Sequence, residues 1–341
     1  MKMHSLSFGR VPYRNRKFHE EDVDRVRRQL GITEDGRLVR DGEPVVVAVL
    51  DSGISQHPDL KDALFAFYDF SGSAGKGGKR VFYQTPYDEY GHGTHVCGII
   101  AGSGIASGGK YQGICPGVRL VVGKVLDEHG DGCVEDMISG LEWILSTQSK
   151  FGTRLLNLSI GVADLRQKEK EERLRQMLQR ISEAGILVLC AAGNKGPAPG
   201  SVSFLGEGSK VLSIGCHDGA YFSNDPGRCE NHSGRGTLRG LLRKPDLVAP
   251  GTRIRSCSSK YRPGMLPSLA YEMRSGTSMA TPIVTGCAAR VLCMAPKMSA
   301  KELRHLMTMA ATDLHLPWNQ QGFGMLNWRK MRKIVEMAGD S

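Results

Sequence analysis

Residues 45–53 read VVVAVLDSG, a continuous valine-rich run that ends in an acidic residue and a glycine turn. Such a run is typical of a strand buried on both faces of a parallel sheet. Similar runs occur at residues 120–122, 155–160, 186–192 and 211–214. Helical patterns alternate with them, at residues 138–145, 165–183 and 280–294, and Ser299 with Glu302 forms a capping box before a last helix. This alternation predicts an α/β fold with a mainly parallel central sheet and helices on both faces.

Composition agrees with a folded globular chain. The chain has 341 residues, 40% of them hydrophobic, which excludes whole-chain disorder. We predict one domain at residues 45–330 and a C-terminal tail at 331–341. Residues 1–44 are densely charged and form an N-terminal extension, with one short helix expected at residues 20–30. The extension holds too little apolar material for a core of its own.

Charge and cysteine usage limit which partners and which cellular compartment are expected. The formal net charge of +10 fits either an acidic partner or an ordinary basic surface, and no nucleic-acid-binding motif accompanies it, so nucleic acid is not an expected partner. Nine cysteines without a CxxC pair favour free buried thiols over a zinc site or a disulfide framework. The sequence shows no secretory signal and no apolar run of about 18 residues. We therefore expect a cytoplasmic protein that does not cross a membrane.

Three short segments contain the residue types of catalytic sites. Asp51 ends the first apolar run, where a carboxylate can bind a metal, hold a histidine or cap a turn. His92 and His95 lie three residues apart between glycines, without the HExxH pattern of a zinc helix. Ser278 lies at a helix start, where serine usually caps the helix, but Gly276 and Ala280 leave space around it. The order Asp, His, Ser is one of the known orders of a catalytic triad.

The segments VLDSGI around Asp51, GHGTHV around His92 and GTSMATP around Ser278 resemble the three signature motifs of the subtilisin-like serine proteases, the subtilases. Two weaker matches lie between them in the expected order: NLSIG at residues 157–161 and AAGN at residues 191–194. The resemblance covers residues 45–330. It implies a three-layer subtilisin-like fold and a serine endopeptidase that acts on polypeptides.

The resemblance also implies a role for each site residue. Ser278 is the nucleophile, His92 its general base and Asp51 the residue that orients His92. The Asn194 amide and the Ser278 backbone N–H form the oxyanion hole. An extended substrate pairs with two backbone segments, and a pocket receives the side chain before the scissile bond (P1), where Lys195 could favour an acidic residue or simply face solvent. These substrate-binding residues are Asp131, Gly132, Ser159, Ile160, Gly161, Ala191, Gly193, Lys195, Ser203 and Gly206.

Two further family features to compare with this sequence are a calcium site and an inhibitory N-terminal segment. Asp59 matches an aspartate of a common calcium site, but residues 103–113, expected to supply the other ligands, contain no Asn, Asp or Glu. We therefore expect no cofactor to be required and leave a structural calcium at another site open. The extension contains Phe8–Tyr13, which resembles an inhibitory element of intracellular subtilases, so two alternatives stay open: it holds the enzyme inactive as a zymogen, or it is an ordinary disordered N-terminus. The alternative function is a catalytically silent relative that binds peptides or regulates another protein.

Overall fold

The structure, a computed structural model, describes residues 25–32, 44–72, 85–161, 168–222, 225–237, 242–262 and 264–339. The central sheet has seven strands, all paired in parallel, in the order β2-β3-β1-β4-β5-β6-β7. These strands are β1 (Val46–Asp51), β2 (Leu64–Asp69), β3 (Arg119–Lys124), β4 (Thr153–Leu158), β5 (Leu187–Ala191), β6 (Val211–Cys216) and β7 (Leu247–Ala249). Two further strands, β8 (Ile254–Cys257) and β9 (Tyr271–Arg274), form an antiparallel pair.

Helices cover both faces of the sheet. They are α1 (Arg25–Leu30), α2 (His92–Ala101), α3 (Val134–Phe151), α4 (Lys168–Glu183), α5 (Phe204–Glu207), α6 (Thr277–Met294), α7 (Ala300–Met309), α8 (Trp318–Gln321) and α9 (Trp328–Gly339). Helices α1, α2, α6, α7 and α9 contribute to the core on one face, and α3, α4 and α5 to the core on the other. None of the helices in the described ranges is long and apolar enough to cross a membrane.

The alternation of side chains along β1 explains this arrangement. Val47 and Val49 point into one core, whereas Ala48 and Leu50 point into the other, and all four are fully buried. A strand between two apolar layers needs apolar residues at every position, which is why residues 45–50 show no polar alternation. The predicted three-layer α/β fold with a mainly parallel sheet is confirmed.

Both predicted chain ends differ from the structure. The predicted tail at 331–341 starts inside α9, where Met331 and Val335 are buried in the core beside Trp328. In the extension, Val26, Leu30 and Ile32 are buried in the same core. The predicted helix at residues 20–30 is observed from Arg25; residues 20–24, like residues 1–19 and Phe8–Tyr13 within them, lie outside the described residues. Structurally, residues 25–32 and 331–339 therefore belong to the body of the domain.

The cysteines are free with one exception. Cys216, at the end of β6, and Cys229 form a disulfide with a Cα–Cα distance of 5.9 Å. The expectation of free thiols is wrong for this pair, because the turn after β6 brings together two cysteines that no sequence motif connects. The other seven cysteines are free, and all of these but Cys133 are buried. The predicted capping box of Ser299 and Glu302 is present at the start of α7.

Candidate active site

Asp51 and His92 meet at the carboxyl end of the central strand β1. Asp51 is fully buried, and its Oδ1 lies 2.7 Å from Nδ1 of His92 and accepts the Ser52 backbone N–H at 2.8 Å. Because an ionised carboxylate only accepts hydrogen bonds, the proton of the neutral imidazole lies on Nδ1. Nε2 of His92 then keeps its lone pair and can accept a proton from a nucleophile.

Asp88 fixes the start of the helix that begins with His92. Its Oδ1 accepts the Gly91 N–H at 2.7 Å and the Ser52 hydroxyl at 2.8 Å. Its Oδ2 accepts both the N–H and the hydroxyl of Thr94, at 2.8 and 2.6 Å. The carboxylate thereby satisfies donors in the first turn of α2 and ties that turn to the residue after Asp51. Asp88 is a positioning residue that the sequence analysis missed, although an acidic residue shortly before a predicted helix is a recognised start signal.

A glycine allows the two halves of the Asp51–His92 pair to approach. A Cβ atom on Gly93 would lie 2.2 Å from the carbonyl oxygen of Gly53. Any larger residue would therefore push α2 away from the turn that follows Asp51. This close contact explains the glycine after His92 in the motif GHGTHV.

Ser278 is the second residue of α6, and its side chain is half-buried. The helix cap, Gly276, has a φ of 143°, in the region that favours glycine. Helices α2 and α6 pack against each other, so His92 and Ser278 begin two neighbouring helices. No hydrogen bond joins their side chains in the described structure, and such bonds are often long before substrate binds. In the first turn of α6, the Thr277 N–H donates to Asn194 and the Met279 and Ala280 N–H groups donate to the Gly276 carbonyl, which leaves the Ser278 N–H as the donor that can stabilise an anion.

Asn194 is held against the start of α6 in a defined orientation. Its Oδ1 accepts the backbone N–H of Thr277 at 3.0 Å and the Thr277 hydroxyl at 3.1 Å. Its Nδ2 is 3.2 Å from the point where a Cβ on Gly276 would lie. With the oxygen engaged by Thr277, the amide nitrogen remains as a donor beside the nucleophile.

The residues predicted for the P1 pocket come together. The Ser203 hydroxyl donates to the Ala191 carbonyl at 2.7 Å, and a Cβ on Gly193 would lie 3.2 Å from Cβ of Ser203. A Cβ on Gly206 would lie 3.4 Å from the Ala191 carbonyl oxygen. Lys195 is exposed directly after Asn194. These contacts bring Ala191, Gly193, Ser203 and Gly206 to one location; whether they bind a P1 side chain stays a prediction.

The two predicted peptide-binding segments differ in how exposed they are and in how many of their backbone groups already have partners. Ser159 and Ile160 are buried, whereas Gly161 is exposed beyond the end of β4. In the other segment, the Asp131 N–H donates to Asp127 Oδ1 at 2.9 Å, and its carbonyl accepts the Asp127 N–H at 2.8 Å. Both backbone groups of Asp131 therefore already have partners within this turn.

Asp59 does not have the surroundings of a calcium ligand. Its Oδ1 accepts the backbone N–H of Ala106 at 2.8 Å, and its Oδ2 accepts the Tyr271 hydroxyl at 2.6 Å. Calcium needs oxygen acceptors around it, but the segment at residues 103–113 presents an N–H donor here. His57 and Cys257 also adjoin Asp59, but His57 pairs through both nitrogens, with Ala270 O and the Asp59 N–H. The carboxylate is therefore satisfied by protein donors.

His95 is engaged by carbonyl groups of the β8–β9 pair rather than by His92. Its Nε2 lies 3.1 Å from the Ile254 carbonyl and 3.2 Å from the Glu272 carbonyl, where it acts as a donor. Burial lowers the pKa of His95 to about 3, with the nearby Arg274 and His92 adding to the decrease. His95 is thus a neutral structural residue that joins α2 to the β8–β9 pair.

Lys124 is a second buried charge that the sequence analysis missed. It ends β3 and lies in register with Asp51. Its ammonium group donates to the Ser52 carbonyl at 3.0 Å and the Leu126 carbonyl at 2.7 Å, and it pairs with Glu89 at 3.1 Å. The rule that identified Asp51, a polar residue at the end of an apolar run, applies equally to Lys124.

Comparison with known proteins gives consistent matches. Residues 42–325 match the model of the Subtilase family of S8 peptidases. The chain is 35% identical over 278 residues to the serine protease AprX of Bacillus subtilis, covering 78% of this chain and 61% of that protein. It is 32% identical over 288 residues to subtilisin Savinase of Lederbergia lenta, covering 84% and 90%. The chain thus spans about three-fifths of the length of AprX.

Solved structures with the same fold include two proteases. Sphericase aligns with a TM-score of 0.70 at 24% identity, covering 84% of this chain and 92% of its own. The S41 psychrophilic protease aligns with a TM-score of 0.68 at 27% identity, covering 83% and 91%. The likeness to sphericase shows the fold, and the likeness to the S41 protease agrees with the relatives found by sequence.

Proposed function

Because this chain belongs to the subtilase family, we propose that it is a serine endopeptidase with Asp51, His92 and Ser278 as its catalytic triad. The observation that carries the proposal is the 2.7 Å contact between the buried Asp51 carboxylate and His92 Nδ1, which leaves Nε2 as the base. Nothing in the relatives favours a catalytically silent protein. The proposed substrates are polypeptides.

The proposed reaction follows from the roles that these groups can play. Ser278 Oγ attacks the scissile carbonyl carbon while His92 Nε2 takes the hydroxyl proton. The resulting oxyanion accepts hydrogen bonds from Asn194 Nδ2 and the Ser278 N–H. His92 then gives its proton to the leaving amine, which leaves an acyl-enzyme on Ser278. Water, activated by the same histidine, hydrolyses the ester, and Asp51 stabilises the imidazolium in both steps.

Active-site labelling tests this proposal directly. We expect a fluorophosphonate probe to label the wild type and Ser278→Ala to lose both labelling and peptide cleavage. Ser149→Ala, at an exposed serine on α3, is the matched control and should behave as the wild type. Asn194→Leu should lower kcat by about 10²–10³-fold with little change in KM. Cleavage by Ser278→Ala at the wild-type rate would contradict the assignment.

The P1 preference is a finer part of the proposal. Lys195 follows Asn194 directly and is exposed, so its ammonium group is free to approach an acidic P1 side chain. We expect Lys195→Glu to lower the ratio of kcat/KM for Glu over Phe at P1. Lys297→Glu changes an exposed lysine in the turn between α6 and α7 and controls for the change in net charge. An unchanged ratio in Lys195→Glu would assign Lys195 to solvent alone.

Metal independence and location complete the proposal. We propose that no calcium is required at Asp59, since Ala106 and Tyr271 already occupy its carboxylate. The change in Tm on adding a calcium chelator should then be the same in Asp59→Asn as in the wild type. The seven free cysteines support a reducing, cytoplasmic setting, although the Cys216–Cys229 disulfide does not. Cell fractionation with an antibody to the chain tests that location.

A further inference from the structure

Asp218 joins the N-terminal helix α1 to the loop that supports the nucleophile. Asp218 is fully buried just beyond the end of β6. The Arg25 guanidinium lies 3.4 Å from its Oδ1, and the Gln29 side-chain amide donates to its backbone carbonyl at 2.9 Å. Arg25 also donates to the Thr252 carbonyl at 2.7 Å. Helix α1 thus contacts both Asp218 and the loop that Asp218 holds.

The Asp218 carboxylate also binds the loop that follows β7. Oδ1 accepts the backbone N–H groups of Gly251 and Thr252, both at 3.2 Å, and Oδ2 accepts the Thr252 hydroxyl. Hydrogen bonds to a carboxylate are stronger than those between neutral groups, so this loop has a fixed position relative to Asp218. Burying the carboxylate is tolerable because donors and the Arg25 cation surround it.

The same loop holds the residues that precede Ser278. The Gly251 carbonyl accepts the Gly276 N–H at 3.0 Å, and the Arg253 N–H donates to the Ser275 hydroxyl at 2.8 Å. The backbones of Gly251 and Gly276 are in close contact, because a Cβ on Gly251 would lie 2.7 Å from the Gly276 carbonyl oxygen. Gly276 in turn caps α6 and borders the Asn194 amide. A displacement of the loop would therefore move the oxyanion hole.

Resting on the proposed peptidase function, we propose that Arg25 and Asp218 are positioning residues for the oxyanion hole. Neither touches substrate; they act through residues 251–253 on Gly276 and so on Asn194 and the Ser278 N–H. The described part of the extension is then a component of the active enzyme. Its loss lowers kcat, because hydrogen bonds to the oxyanion strengthen only in the transition state.

The test compares two arginines on the same helix. Arg25→Ala removes the contacts to Asp218 and Thr252, whereas Arg28→Ala removes an equal charge from an exposed position on α1. We expect Arg25→Ala to lower kcat per titrated active site about tenfold, with KM within about twofold of wild type. A peptide aldehyde, which forms an oxyanion in the site, should bind more weakly in parallel. Arg28→Ala should match the wild type in all three measurements.

Titrating the active sites separates positioning from folding. A merely structural role for Arg25 would reduce the number of titrated sites but leave kcat per site unchanged, and that result would overturn the inference. Equal losses in both variants, or a rise in kcat for Arg25→Ala, would also overturn it. If Arg25→Ala does not fold, Arg25→Lys, which keeps the charge, should lower kcat about threefold, and wild-type kcat there would refute the proposal. A wild type that the fluorophosphonate probe does not label would instead refute the peptidase function.

Discussion

At the scale of single residues, the site is built from buried charges whose neighbours are arranged around them. Asp51 uses only Oδ1 for its hydrogen bonds, and its buried Oδ2 has no hydrogen-bond partner among the described residues. An unsatisfied buried acceptor costs about 1–3 kcal/mol. Such a cost is typical of functional sites, where local stability is given up for a required geometry. The surrounding residues must therefore hold this geometry firmly, and Asp88 does so from the His92 side.

We predict that Asp88→Ala impairs catalysis and stability together. The change removes four hydrogen bonds, to Ser52, Gly91 and the two donors of Thr94. Loss of these charge-assisted bonds should lower the free energy of unfolding by about 3 kcal/mol. Because His92 begins the same turn, kcat should also fall about tenfold or more. Urea unfolding and steady-state kinetics measure the two effects.

Asp62→Ala is the matched control for Asp88, since Asp62 is an exposed aspartate just before β2. Its stability should change by less than about 0.5 kcal/mol. If Asp88→Ala keeps the wild-type kcat while losing stability, Asp88 supports the fold but does not position His92.

His95 makes a prediction about pH. Its pKa is about 3 in the folded state against 6.5 for an ordinary histidine, so only the unfolded chain binds the proton in between. The stability that neutral His95 provides is complete above pH 6.5 and is lost as the pH falls towards 3. In His95→Gln, which keeps an N–H donor, this contribution is absent. The stability difference between wild type and variant should therefore shift by about 1.4 kcal/mol per pH unit in that range.

The measurement is urea unfolding of both proteins at several pH values between 3 and 6.5. His57, whose pKa burial also lowers, is present in both proteins and cancels in the difference. A difference that stays constant with pH would mean that His95 is protonated equally in the folded and unfolded states.

At the scale of elements, the sequence predicted those whose pattern is strong. The apolar runs gave β1, β3, β4, β5 and β6, because strands between two helical layers must be apolar throughout. The strand β2 was not predicted, since it lies at the sheet edge and most of its residues are partly exposed. The short strands β7, β8 and β9 contain too few residues to show a period of hydrophobic and polar positions. Helix α9 was mistaken for a tail because its apolar residues are interrupted by basic ones.

We predict that truncation after Lys330 destabilises the protein strongly. It removes Met331 and Val335 from the core, next to Trp328, which stacks on the buried Arg290 at 4.9 Å. Losing two buried aliphatic side chains should cost about 5 kcal/mol. Truncation after Gly339 keeps the whole helix and serves as the control. Equal thermal stability of the two truncated proteins would show that α9 adds nothing to the core.

At the scale of the whole molecule, the triad could be proposed from sequence because each member lies in a motif at the end of an apolar run or the start of a helix. The predicted domain boundary at residue 44 rested on charge density, which reports solvent exposure but not contact. Val26, Leu30 and Ile32 are only three apolar residues among many charges, yet they are buried in the larger core. Asp218 likewise lies in no motif, because its role depends on a loop more than thirty residues away.

The last prediction divides the extension into two parts with opposite effects. Deleting residues 1–24 leaves α1 and its contacts with the other described residues in place, so we expect an unchanged Tm and, because the sequence predicts an inhibitory extension, higher activity. Deleting residues 1–32 also removes Val26, Leu30 and Ile32 from the core together with the Arg25 contacts. Three lost aliphatic side chains should cost about 6 kcal/mol or more. Calorimetry and peptide cleavage on both truncated proteins measure these effects, and unchanged activity after deletion of residues 1–24 would reject inhibition by that segment.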